Sequence, residues 1–270
     1  VLSVSGYIHG YSERETERLR DQAETLAGIL HCDTSFPPGS LVLEAGCGTG
    51  AQTVFIAGNS PAARITAVDI SKESLAQAEE RVRQAGITNV EFRQADIFDL
   101  PFQKGCFDHV FVCFVLEHLA RPIDALVNLG KLIRPGGTLT VIEGDHGSAY
   151  FYPDSEAAKK AIACQIALQA AAGGNALIGR ELYPLLKKAG FKNVHVSPRM
   201  VYVDSGKPDL VEGFTKNTFT AMVEGIRDKA LRAGMIDQDT FDQGIRDLER
   251  TAGQDGVFCY TFFKAICEPA

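Results

Sequence analysis

The chain has 270 residues, 45% of them apolar, and a formal net charge of −7 at neutral pH. That apolar share can build a substantial core. The acidic balance argues against a binder of nucleic-acid phosphates, which needs a basic face to displace counterions, so no nucleic-acid partner is expected. Seven cysteines, odd in number and never spaced Cys-x-x-Cys, indicate neither a disulfide framework nor a metal site, so no metal is expected.

From residue 14 to about 31, charged residues alternate with Leu19, Ala23, Leu26, Ala27 and Leu30 at helical spacing, which predicts an amphipathic helix inside an N-terminal helical cap over 1–35. After Phe36-Pro37-Pro38-Gly39 the pattern alternates: strand 41–45, helix 50–58, strand 64–69, helix 72–85, strand 90–95, strand 108–114, helix 122–133, strand 137–143. Ser71 is suited to cap the second of these helices and Gly86 to stop it, while Pro135-Gly136-Gly137 ends the last. Such alternation implies an α/β fold with a Rossmann-like, mostly parallel sheet between layers of helices. The character then changes. An alanine-rich helical stretch over about 149–178 leads to a helix at 179–189 and a strand Asn193–Val203, and a second helical stretch over 208–252 leads to the apolar strand Val257–Cys267. The two helical stretches fall on connections where α/β folds build active-site covers, so they read as a helical lid on one domain spanning 1–270. The opening Val1-Leu2-Ser3-Val4-Ser5 has no basic stretch or long apolar core, and no run approaches the ~20 apolar residues of a membrane span, so a cytoplasmic location without membrane association is expected.

The most informative motif is Val42-Leu43-Glu44-Ala45-Gly46-Cys47-Gly48-Thr49-Gly50, a short apolar strand running into alternating glycines and then a helix. Gly46, Gly48 and Gly50 permit a tight turn and a close ligand approach to the main chain, the behaviour of a nucleotide-type cofactor loop. Glu44 ends the first strand. Asp69 ends the next, about twenty residues beyond the loop, where an acid can accept ribose hydroxyls.

These residues, with Ile65–Ser71, Gln94–Leu100, Phe107–Leu119 and Leu132-Ile133-Arg134-Pro135-Gly136-Gly137 in the same order, resemble the class I S-adenosylmethionine-dependent methyltransferases, and within them the ubiquinone and menaquinone biosynthesis branch. The resemblance spans about residues 36–145. It implies a seven-stranded sheet whose last strand is antiparallel, and S-adenosyl-L-methionine as cofactor. It also implies roles. Gly46, Cys47, Gly48 and Gly50 would run beneath the methionine and ribose parts, and Glu44 would orient the loop near the ammonium. Asp69 would accept both ribose hydroxyls, which suits an acceptor-only carboxylate. Ile70 would pack on adenine, and Ala95, Asp96 and Ile97 would meet its amine and ring nitrogen. Cys113 and Phe114 would lie at the ammonium, Thr53 at the start of the helix facing the carboxylate, and Tyr11 over the methionine end.

Methyl transfer needs alignment and exclusion of water more than a protein nucleophile, and a base helps when the acceptor is a hydroxyl. His146, in Glu143-Gly144-Asp145-His146-Gly147 just past a strand end, is the candidate base, with Asp145 or Glu143 as its orienting acid. His118, Tyr150 and Tyr152 are candidate substrate contacts. Tyr150-Phe151-Tyr152 with Phe214, Phe219 and Met222 suit an apolar pocket, a cation-binding cage or the lid's own core, the last favoured for Phe214 and Phe219, and Arg180 suits a solvated helix-end charge or a contact to an acidic acceptor. The partner expected is a small-molecule methyl acceptor. A nicotinamide-dependent oxidoreductase is the rival, but its loop is normally Gly-x-Gly-x-x-Gly whereas this one is Gly-x-Gly-x-Gly; a catalytically inactive cofactor-binding regulator is the third reading. The Asn/Asp-Pro-Pro-Tyr box of many base methylases is absent, since the fourth strand ends Cys113-Phe114-Val115-Leu116.

Overall fold

The computed structural model describes Ala23 and residues 25–270. Tyr11 and most of the cap expected over 1–35 lie outside the described residues; helix is seen from residue 25 to 30, and its Leu26 and Leu30 are fully buried.

Seven strands form one sheet: β1 (Leu41–Ala45), β2 (Arg64–Asp69), β3 (Val90–Gln94), β4 (Phe107–Cys113), β5 (Ile133–Tyr152), β6 (Lys192–Asp204) and β7 (Val257–Glu268), in the order β3-β2-β1-β4-β5-β7-β6. β1 to β5 are parallel, and β7 runs antiparallel to both β5 and β6, as expected. The strand order reverses between β1 and β4, which opens a crevice at their carboxyl ends. Helices α1 (Thr53–Gly58), α2 (Lys72–Gln84), α3 (Pro122–Leu132) and α5 (Leu182–Lys188) match the predicted alternation, with Ser71 Oγ accepting the Ser74 N–H at 3.1 Å as N-cap of α2. Leu126, Leu129, Leu182 and Leu186 seal one face of the sheet.

The other face carries Leu26, Leu30, α4 (Glu156–Ala171) and the helices of the second insert: α6 over 208–224, whose middle turn Val211–Thr220 is π-helical, α7 (Arg227–Arg232) and α8 (Gln238–Arg250). Phe214 and Phe219 of α6 lie edge-on or tilted to Phe258, Tyr260 and Phe262 of β7, with centroids 4.7 to 6.0 Å apart. Each such buried side chain contributes roughly 1.5–3 kcal/mol, so this cluster holds the insert against the sheet. Phe214 and Phe219 are thus core, as expected, and Met222 is buried with them.

One boundary differs from expectation. The strand predicted to end at 143 continues to Tyr152, with an irregularity between Asp145 and Tyr150, and the helix predicted from 149 begins at Glu156 under a Ser155 N-cap. The aromatic run Tyr150-Phe151-Tyr152 suits a strand better than a helix, and Phe151 stacks on Phe258 across the ladder at 6.2 Å. The alanines that suggested a helix begin only after it.

Candidate active site

At the end of β1 the chain turns under Gly46, whose φ of +80° is unfavourable to any side chain and whose Cβ would lie 2.5 Å from Val115 Cγ2. The Gly46 and Cys47 N–H groups donate to the Val68 carbonyl at 2.8 and 3.0 Å, which pins the loop to β2. Gly50 is closed from below by Ala78, whereas a Cβ on Gly48 would meet nothing within 4 Å. The loop is therefore packed on its inner side and open on its outer side. Asp69 spans this opening: one carboxylate oxygen accepts the Gly48 N–H and the other the Ser71 N–H, both at 2.8 Å.

Glu44 lies behind the loop, 2% exposed and beside buried Thr53. Burial, augmented by the charge of Asp69 and only partly relieved by the Thr53 hydroxyl, pushes its carboxyl up to about 8. Its Oε2 has no hydrogen-bond partner, and neither has the buried Thr49 hydroxyl. A buried carboxyl oxygen with no partner beside an open glycine loop fits a cationic ligand group. Along the same edge, Ile70 is 52% exposed for so large an apolar side chain. The Gln94 amide donates to its carbonyl at 2.9 Å, and the Ala95 N–H to the Asp69 carbonyl at 3.0 Å. Asp96 is exposed and turns the chain by accepting the Phe98 N–H at 2.9 Å, next to half-buried Ile97. Cys113 ends β4, its thiol pushed well up by burial and then by Glu143 and Glu44. Phe114 follows at φ +58°, with its ring 5.4 Å from Phe262. The residues assigned to an adenosine-type cofactor, Tyr11 aside, thus line one continuous edge, and an acceptor-only carboxylate, an exposed aliphatic face and an open loop fit ribose, adenine and methionine.

Farther along β5, His146 is buried on the side of the helical insert. Its Nδ1 lies 2.7 Å from the Tyr260 hydroxyl and its Nε2 is 3.8 Å from Glu117 Oε2. Neither acid expected to orient it does so. Asp145 is held by Arg180 in a bidentate pair at 2.7 Å, and Glu143 Oε1 accepts the Val115 and Leu116 N–H groups at 3.0 and 2.7 Å. Arg180 is therefore the counterion of a buried carboxylate and not a free helix-end charge. Burial, then the charge of Glu117, raises the Glu143 carboxyl well above its usual range. Gly144 makes the arrangement feasible, because a Cβ there would lie 2.5 Å from the Tyr260 oxygen.

His118 is half-buried, with Nε2 3.8 Å from Glu117 Oε1. Tyr150 and Tyr152 are 58% and 60% exposed and alternate with core Phe151, so they face away from the aromatic cluster around His146. The structure does not bring them to that cluster, and the Tyr150 hydroxyl reaches Met200 on β6 instead. Glu117, Tyr260 and Gln169 escaped the sequence reading. The only signal for Glu117 was its place in the turn after β4. A separate cavity of about 570 Å³, lined by Pro37–Leu41, Asp108 and Arg134–Gly137, lies at the opposite, amino edge of the strands. Asp108 there is committed to Arg134 and to the Leu41 N–H.

A profile described as "Methyltransferase domain" matches residues 38–190. The chain belongs to this methyltransferase family. S-adenosylmethionine is the methyl donor of the family. The chain is 34% identical over 211 residues to an uncharacterised 37.1 kDa protein of a transposon from Streptomyces fradiae, covering 76% of this chain and 59% of that one. It is 32% identical over 202 residues to the O-methyltransferase cnsE of Penicillium expansum, covering 72% and 68%. A demethylmenaquinone methyltransferase of Bacillus cytotoxicus matches at 30% over 107 residues, 39% of this chain and 45% of that one. The crystal structure of a Bacillus halodurans protein described as a putative methyltransferase shares the fold at TM-score 0.55 and 15% identity, covering 92% of this chain and 99% of that one. The chain thus spans little more than half the length of the Streptomyces relative. Among the described residues no helix is long and apolar enough to cross a membrane, and no group of His, Cys, Asp and Glu is arranged to hold a metal.

Proposed function

We propose that this methyltransferase passes the methyl group of S-adenosylmethionine to a hydroxyl of a small-molecule acceptor, with His146 as the base. The observation that carries the reading is the combination of an open glycine loop flanked by two acids after β1 with a buried imidazole on β5, two strands away in the sheet. The cofactor supplies a sulfonium-activated methyl group whose sulfur keeps the bonding pair. The protein's part is to align the acceptor oxygen, exclude water and take the proton that the oxygen loses. Tyr260 at Nδ1 fixes the orientation of the ring, and Nε2 is the nitrogen that would take that proton. An oxygen acceptor gains most from such a base, and the O-methyltransferase relative supports that choice. The menaquinone-type relative covers too little of the chain to name the acceptor. The helices over 156–171 and 208–250 then act as the lid that closes the acceptor space.

Calorimetric titration with S-adenosylmethionine, S-adenosylhomocysteine and NAD tests the cofactor, and preferential NAD binding would overturn the assignment. Turnover is then screened with methyl-labelled cofactor against phenols and alcohols. On the acceptor found, His146→Ala is expected to lower kcat by about 10²–10⁴-fold with cofactor affinity nearly intact. An unchanged rate removes the base.

A further inference from the structure

We propose that Glu117 is a positioning residue of this site, one that fixes the charge beside His146 and ties the imidazole to helix α4. The inference rests on His146 being the base and adds a residue to that machinery. Glu117 sits in the short turn Leu116–His118 between Cys113 at the end of β4 and helix α3, and it is 9% exposed. Its carboxylate Oε2 lies 3.8 Å from His146 Nε2 and accepts the Gln169 amide at 3.0 Å, while its carbonyl accepts the same amide at 3.1 Å and the Asn175 N–H at 2.8 Å. A Cβ on Gly174 would lie 2.4 Å from that carbonyl, so the end of α4 docks directly onto this residue.

The groups that face His146 from each neighbouring element give the pairing its sense. Tyr260 of β7 holds Nδ1. On its own strand, Asp145 is neutralised by Arg180, and Glu143, whose Oε1 accepts two backbone N–H groups while its buried Oε2 has no partner, is pushed toward its neutral form by burial. His118 lies on the far carboxylate oxygen of Glu117. Glu117 is therefore the carboxylate facing the nitrogen that takes the proton. An imidazolium formed there is stabilised by a buried negative charge in a poorly screened setting. Because α4 and the turn after it grip Glu117, displacing the insert would move the carboxylate and the base together.

The test needs no methyl acceptor. Proton NMR of the imidazole Cε1–H, assigned with His146→Gln, follows the titration of His146 in the protein saturated with S-adenosylhomocysteine. Glu117→Gln keeps an acceptor for Gln169 and removes only the charge. It is expected to lower the titration midpoint by about one pH unit or more, a tenfold loss of proton affinity, while S-adenosylhomocysteine affinity changes by less than about twofold. Glu117→Asp, which keeps the charge, is expected to recover part of the shift, and it carries the test if the Gln variant does not fold. A midpoint unmoved in Glu117→Gln overturns the role of Glu117 and leaves the base standing. A shifted midpoint together with normal turnover by His146→Ala overturns the base, and the proposal with it.

Discussion

Glu44→Gln separates two consequences of burying an acid behind the glycine loop. The Glu44 carboxyl is raised from the ordinary 4.5 to about 8 by burial and by Asp69, so the folded protein without cofactor favours the protonated form. The sign follows from linkage: a raised folded-state pKa contributes stability that is complete below about 4.5, declines as pH rises, and is gone once pH passes about 8. The full span corresponds to a ceiling of roughly 5 kcal/mol. A neutral glutamine has no such dependence, whatever constant cost its amide adds. Urea unfolding of both proteins at a series of pH values from 5 to 9 should therefore show the difference in unfolding free energy moving steadily in favour of Gln, with most of the change complete near pH 8. Cofactor binding should show the opposite preference. If the ammonium of S-adenosylhomocysteine pairs with ionised Glu44, wild-type affinity should strengthen as pH rises toward 8, with proton release visible in calorimetry across buffers of different ionisation enthalpy. The Gln variant should bind about 10- to 100-fold more weakly at pH 8, the value of a charge-assisted hydrogen bond. A stability difference that stays flat from pH 5 to 9 would refute the claim that Glu44 is held protonated by its surroundings.

Asp69→Ala should weaken S-adenosylhomocysteine binding by about 2 kcal/mol or more, measured by calorimetry, because it removes both the ribose acceptor and the oxygen that steadies the Gly48 N–H. Unchanged affinity would take Asp69 out of the site. Gly46→Ala should cost about 1–3 kcal/mol in denaturant unfolding, since its φ of +80° and a Cβ 2.5 Å from Val115 require both backbone and side chain to shift. A variant as stable as the parent would show that the loop is looser than its packing implies.

The cofactor half was legible because its information is local. Glycines at alternate positions, an acid at the end of each of two successive strands and a cap at Ser71 all lie within about thirty residues, and each constrains the backbone by itself. The acceptor half is encoded in separations that no period reveals. His146 meets Tyr260 across 114 residues, Gln169 meets Glu117 across 52, and Arg180 meets Asp145 across 35. A strand of 20 residues makes the first and last of those meetings possible, because its continuation past the end of β4 keeps His146 and Asp145 beside β7. Sequence pattern hid that continuation. Gly144 and Gly147 read as loop, and the alanines after 156 pulled the predicted helix forward over Tyr150-Phe151-Tyr152. Yet both glycines are where they are because tertiary partners crowd them: Tyr260 over Gly144, and Arg180 with Leu177 over Gly147. Gly144 and Gly147, which look like punctuation, are thus contact points between distant segments, whereas Gly48 faces open space. That contrast explains why the loop edge could be outlined from the sequence and the surroundings of His146 could not.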